Sequence, residues 1–146
     1  MTDEQYMKLA LIEAKKAQQT EEVPVGAIIV MQQKVIARAY NQVELLNDST
    51  AHAEILALTT AYNYLGSKYL PEATIYITVE PCLMCCGAIY WSKLNRVVYG
   101  AFDVKNGYRR FTVPHHPFHP KTIIEGGILA DECGQLMKDF FKDKRG

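Results

Sequence analysis

The alternation of two sequence patterns constrains this chain more than any other feature. Apolar residues at helical spacing are interleaved with short β-branched runs. That order points to an α/β fold, a sheet sandwiched between helices with an antiparallel hairpin at one edge. Thr2 and Asp3 can cap a first helix over residues 3–19, with Tyr6, Leu9, Ala10, Ala14 and Ala17 on one face. Pro24 ends that region, and the runs 25–30 and 35–39, joined by a polar turn at Gln32-Gln33, predict a hairpin. The polar loop 41–50 offers Asp48, Ser49 and Thr50 as caps for a second helix, which carries Ile55, Leu58, Tyr62 and Leu65 and stops at Gly66. Residues 74–79 predict a strand, 81–91 a third helix with Pro81 in its first turn, 96–100 a fourth strand and 122–124 a fifth. Between the last two, residues 101–121 show neither period, and a loop that long is usually functional or mobile. Leu129, Cys133, Leu136, Met137, Phe140 and Phe141 stripe a final helix.

Composition agrees with a folded globular chain. Of 146 residues, 49% are hydrophobic and 22% charged, which excludes a disordered, collagen-like or coiled-coil chain. One domain spanning 1–146 is expected, with about two-thirds of the unfolded surface buried. No apolar run is long enough to span a membrane. The opening Met1-Thr2-Asp3-Glu4-Gln5 is neither a secretory signal nor a transit peptide, so the expected address is cytoplasmic. Net charge is zero but unevenly spread. Residues 1–92 hold 6 Lys/Arg against 10 Asp/Glu, and residues 93–146 hold 10 against 6. Segment 93–121 carries 6 basic residues, one acid (Asp103) and His115, His116 and His119. Such a segment is either a local basic face or an ordinary fluctuation on a solvated surface.

Of four cysteines, Cys82, Cys85 and Cys86 fall within five residues, a pattern that points to a metal or reactive thiols and not to a disulfide framework. They follow His52-Ala53-Glu54 at a distance, and both motifs open predicted helices. Side chains lean toward a helix N-terminus, so His52 and Glu54 can reach a common point off the helix end, while Cys82 and Cys85 at i and i+3 share a face. One His and two Cys leave the fourth position of a zinc ion open, the arrangement of a catalytic site. A glutamate beside that position, itself no ligand, is the natural proton carrier. His-x-Glu with Pro-Cys-x-x-Cys is moreover the known signature of zinc nucleobase deaminases. A thiol redox pair at Cys82 and Cys85 is the rival reading, and it leaves His52 and Glu54 idle. Cys86 and Cys133 are expected to be buried apolar residues, and Tyr90, Trp91 and Phe111 packing residues. The histidines at 115, 116 and 119 are expected in a solvated or RNA-facing loop and not in a second metal site.

Over nearly its whole length the chain resembles the bacterial tRNA-specific adenosine deaminases, of the cytidine-deaminase-like superfamily. The resemblance rests on Glu22-Val23-Pro24-Val25-Gly26-Ala27, Asn41, Thr50-Ala51-His52-Ala53-Glu54, Tyr76-Ile77-Thr78-Val79-Glu80-Pro81-Cys82-Leu83-Met84-Cys85, Arg96-Val97-Val98-Tyr99-Gly100-Ala101 and Gly127-Ile128-Leu129-Ala130-Asp131-Glu132-Cys133. It implies a three-layer α/β/α fold with a five-stranded mixed sheet, and a homodimer acting on the wobble adenosine of a tRNA anticodon loop. It implies one Zn2+ per chain on His52, Cys82 and Cys85. Glu54 would take a proton from the attacking water and pass it to the ring nitrogen and the departing amine. Asn41 and the backbone N–H of Ala53 would contact the base, and Asp103 would lie beside the RNA backbone. The basic bias of the long loop makes Arg109 and Arg110 candidate phosphate contacts. The chain departs from the family pattern at Tyr108-Arg109-Arg110-Phe111, where small residues are usual, and Ala88-Ile89-Tyr90-Trp91 is similar to bacterial guanine deaminases. A deaminase of a free base or nucleoside is therefore the alternative within the enzymes, and a non-catalytic zinc-stabilised partner subunit the alternative outside them.

Overall fold

The computed structural model describes residues 1–111 and 115–145. Its helices are α1 (Asp3–Gln19), α2 (Val43–Leu46), α3 (Ala53–Leu65), α4 (Leu83–Ser92) and α5 (Ala130–Arg145). Its strands are β1 (Gly26–Met31), β2 (Lys34–Tyr40), β3 (Ala73–Val79), β4 (Arg96–Ala101) and β5 (Ile123–Gly126). The strands form one mixed sheet in the order β2-β1-β3-β4-β5. β1 runs antiparallel to β2 and β3, while β3, β4 and β5 are parallel. This is the expected five-stranded mixed sheet, with α1 and α5 on one face and α3 and α4 on the other.

Strand alternation divides the core. Ile28, Val30, Tyr76 and Val98 pack under Tyr6, Met7 and Ala10 of α1, while Ala27, Ile29, Ile75, Ile77 and Val97 pack under Ala57, Leu58 and Ala61 of α3 and Ile89 of α4. Each fully buried Ile or Val there contributes roughly 1.5–3 kcal/mol relative to an exposed one. α1 sits so close to β1 that a Cβ on Gly26 would collide with the backbone of Ala10 and Ala14. The capping box of α1 is complete, with Thr2 and Gln5 each accepting the other's backbone N–H. At the hairpin tip Gln32 and Gln33 both take positive φ, 51° and 62°, the left-handed pair that a two-residue turn needs to match the twist of its strands.

Four sequence expectations need correction. Asp48, Ser49 and Thr50 do not cap α3, because the cap residue is His52; Asp48 instead accepts the N–H and hydroxyl of Thr50. The third helix begins at Leu83 with Cys82 as its cap, so Pro81 precedes the helix. The loop 41–50 contains α2, and the long loop contains a 3₁₀ turn, Tyr108–Arg110, with Tyr108 and Phe118 buried in the core. Finally, Trp91 and Phe111 are exposed and do not pack inside. Cys86 and Cys133 are buried as expected, and Thr122 is buried just ahead of β5. No described helix is long and apolar enough to cross a membrane.

Candidate functional site

α3 and α4 both begin beside the carboxyl ends of the central strands, where open α/β sheets place their ligands. The residues that cap these helices are His52 and Cys82, and neither side chain makes a capping hydrogen bond. A Ser or Asp in either position would stabilise its helix by about 1 kcal/mol. These two side chains instead turn toward each other. His52 Nδ1 lies 3.7 Å from Cys82 Sγ and 3.5 Å from Cys85 Sγ, and the three donor atoms are all within 4.8 Å of one another. Zinc bonds of about 2.3 Å to sulfur and 2.0 Å to nitrogen, at the tetrahedral angle, put neighbouring donors about 3.6 Å apart. The donor set therefore fits zinc in both chemistry and spacing. It is the one such cluster among the described residues; His115 and His116 lie exposed outside it.

Hydrogen bonds from the Cys85 thiol first, and then from His52, pull the Cys82 thiol down to about 4. Cys85 is pushed up, chiefly because its proton is held against the Cys82 sulfur. One thiolate is thus favoured even without added charge, and a divalent cation favours both. Glu54, in the first turn of α3, is buried. Burial pushes its carboxyl up to about 6, with a smaller upward push from Cys82. A carboxyl in that range can pass a proton in either direction near neutral pH.

Around this centre lies a cavity of about 1460 Å³, lined among others by Asn41, His52, Ala53, Glu54, Cys82, Phe102, Asp103 and Lys105. Asn41 is buried, and its backbone is tied to Val25 (N–H to O, 3.1 Å). Ala53 is the first residue of α3, where helix geometry provides no intrahelical partner for the N–H. Asp103 faces the cavity but also closes a turn, since its Oδ1 accepts the backbone N–H groups of Lys105 (3.2 Å) and Asn106 (3.0 Å). Arg109 and Arg110 are not in the lining. Arg109 Nη2 sits 3.1 Å from Glu80 Oε1, and Arg110 Nη1 donates to Lys105 O at 2.8 Å.

Two acids escaped sequence reasoning. Glu80, with a fully buried side chain, accepts the backbone N–H groups of Asp103 (3.1 Å) and Arg109 (3.0 Å) and the Arg109 guanidinium. A Cβ on Gly107 would strike the Glu80 carboxylate, so the loop wraps this acid closely. Glu22, also buried, accepts the N–H groups of Glu44 (2.9 Å) and Leu45 (2.7 Å), closing the first turn of α2 beside Asn41. The available signal was a lone carboxylate ending or preceding an apolar strand; it carries no spacing.

Residues 1–101 match the family model for the cytidine and deoxycytidylate deaminase zinc-binding region, which makes this a zinc-dependent deaminase fold. The chain is 42% identical to the tRNA-specific adenosine deaminase of Bacillus subtilis, over 98% of this chain and 91% of that one. It is 45% identical to the chloroplastic tRNA(adenine(34)) deaminase of Arabidopsis thaliana, but spans only 12% of that longer protein. A structure from a study of A-to-I editing by tRNA:A34 deaminases superposes with a TM-score of 0.82 at 40% identity, covering 90% of this chain and 98% of that one. The guanine deaminase of Bacillus subtilis aligns less completely, with a TM-score of 0.67 at 38% identity over 70% of this chain and 66% of that one. The chain belongs to the tRNA-specific adenosine deaminases, within the zinc-binding deaminase family.

Proposed function

We propose that this chain hydrolyses the 6-amino group of the wobble adenosine in a tRNA anticodon loop, giving inosine and ammonia. His52, Cys82 and Cys85 hold the zinc. Bound there, zinc would supply the Lewis acidity that lets a water ionise near neutral pH. Glu54 takes one proton of the attacking water and delivers it to the ring nitrogen as C6 becomes tetrahedral; it then takes the proton of the new C6 hydroxyl and passes it to the amine, which leaves as ammonia while C6 becomes the carbonyl of inosine. Asn41 and the N–H of Ala53 orient the base through its polar edge. A base in a loop is already unpaired, so swinging it into the cavity costs little. The observation that carries RNA over a free base is the cavity's size, about 1460 Å³. Sites for small ligands measure roughly 300–1,000 Å³, and a single base needs still less.

The homodimer and the cytoplasmic address belong to the same proposal. Exposed Leu83, Met84 and Trp91 on α4 support the first, and analytical sedimentation tests it. The activity is tested by incubating zinc-loaded protein with tRNA and analysing the nucleosides by mass. Inosine is expected from the parent and not from Glu54→Gln. Turnover of guanine, cytosine or a nucleoside, with every tRNA adenosine intact, would assign the site to the free-base reading.

A further inference from the structure

Phe102 is a large apolar side chain left 48% exposed in the lining of the cavity that holds Glu54. Its position is nevertheless tightly held. The Arg109 guanidinium lies 4.4 Å from its ring centroid, and the Tyr99 ring meets it edge-on at 5.7 Å and 89°. Gly127, at φ +93°, passes its far edge, where an added Cβ would come within 3.4 Å of Phe102 Cζ. Arg109 is fixed in turn by Glu80, and the Glu80 N–H donates to Ala101 O at 2.8 Å, one residue before Phe102 and two before the ligand Cys82. The chain of contacts from Glu80 through Arg109 to Phe102 therefore starts beside the metal centre and ends in an open aromatic ring.

Two other exposed phenylalanines line the cavity, and their support is weaker. Phe111 meets the Arg110 guanidinium at 5.2 Å, and Phe141 rests on Phe140 at 5.3 Å. A ring with a cation over it, a second ring set at right angles to it and about half its surface open suits a flat π-system. We propose that Phe102, held by Arg109 on Glu80, is a stacking platform for a nucleobase adjacent to the target adenosine. This rests on the RNA-deaminase reading above. The cavity is wide enough for more than one nucleotide, and a stack fixes the neighbour without reading its identity, because every base has a π-face.

Steady-state kinetics on an anticodon stem-loop RNA tests the platform with Phe102→Leu and Phe102→Tyr. Leu keeps apolar volume against Tyr99 and removes the ring; Tyr restores the ring. KM for the Leu variant should rise about 5- to 150-fold, with the loss falling on KM more than on kcat, and the Tyr variant should recover most of it. Abasic nucleotides placed in turn on each side of the target should cost the wild type the same factor at one position, where the Leu variant loses nothing more. Zinc content and thermal melting of each variant separate this effect from misfolding. A folded Leu variant with KM within twofold of the parent overturns the platform, as does a penalty that persists whichever base is removed. Should the Leu variant not fold, the abasic series on the wild type decides, and the absence of any sensitive position overturns the platform. No inosine from the wild type on any RNA would instead overturn the proposed function, and the platform with it.

Discussion

The metal centre and the segment that follows β4 border the same cavity, and they are built by opposite means. At the metal centre, regular elements do the positioning. Two helix starts and two strand ends converge, and each ligand sits at a fixed place in a helix: His52 and Cys82 as caps, Cys85 one turn inside. In segment 102–111 there is only one turn of 3₁₀ helix; Asp103 closes a local turn, and the segment is tied to the rest of the molecule largely through Glu80, which gathers two backbone N–H groups and a guanidinium. Helices and strands leave a period in the sequence, whereas an acid acting alone across 23 to 29 residues leaves none.

The contrast is tested most severely by removing a ligand. Cys82→Ala should take zinc content from one per chain to near zero, with loss of activity and a lower melting temperature, because a metal bound only by the folded state stabilises it. Cys86→Ala, one residue past the other ligand thiol, should keep its zinc and lose only about 1 kcal/mol of stability. Zinc loss from the Cys86 variant with retention in the Cys82 variant would mean that the wrong thiol is assigned. Next in size is Glu54→Gln, which removes proton transfer while keeping shape. It should fold, hold zinc and lose at least about 10²–10⁴-fold in kcat. Activity within tenfold of the parent would remove Glu54 from the mechanism.

Glu80→Ala probes the other region. It leaves two backbone N–H groups and one face of Arg109 without their acceptor, at roughly 1–3 kcal/mol for each buried donor lost. The expected result is a lower melting temperature and a raised KM for RNA with zinc content unchanged. Zinc loss comparable to that of Cys82→Ala would show that the two regions are not separable. The same divide explains what the sequence disclosed. The hairpin, the later strands and the donor residues at 52, 82 and 85 are legible because burial and a shared place at a helix start each impose a spacing. The cap of α3 is not legible because Asp48, Ser49 and Thr50 are better cap residues than His52, which takes the cap position with its side chain turned to the two thiols. Glu80 is not legible in the same way, since nothing in the sequence marks a carboxylate as buried until the loop that covers it is in place. Trp91 is expected to pack because large aromatic side chains usually do, yet it stands on the outward face of α4 between buried Ile89 and Ser92.

A smaller effect separates Arg109 from Arg110. Both are candidate phosphate contacts by charge, yet the Arg109 charge already meets Glu80 in an ion pair, while Arg110 donates to the neutral carbonyl of Lys105. Arg110→Ala and Lys105→Ala should each flatten the log–log dependence of tRNA affinity on salt by about 0.7–0.9 per lost phosphate contact. Arg109→Ala should leave that slope near the parent value and appear as a lower melting temperature. Equal changes in slope for both arginines would mean that Glu80 does not hold Arg109 when RNA is bound.

The smallest expected effect lies at the opposite end of β4. There Arg96 donates to Asp3 (Nη1 to Oδ1, 2.7 Å), which also accepts the Tyr76 hydroxyl at 2.7 Å, and Arg96 lies 2.9 Å from Glu125. The hydrogen bond from Arg96 is the main cause that holds the Asp3 carboxyl below its ordinary 3.8, partly opposed by burial. A carboxyl depressed on folding binds its proton more weakly in the native than in the unfolded state. Its contribution is therefore fully present above about pH 4 and fades as the pH falls from there through the lower native value. Because the pair is partly solvated, the contribution should stay below about 1 kcal/mol and shrink in salt. Thermal melting of Asp3→Asn against the parent should thus show a small deficit at pH 7 that closes toward pH 3, with kcat/KM unchanged at neutral pH. A deficit that persists at pH 3 would show that Asp3 acts through the capping turn of α1 and not through its charge. A loss of activity without a loss of stability would mean that this end of β4 communicates with the cavity at the other, and that the two regions are coupled through the strand that joins them.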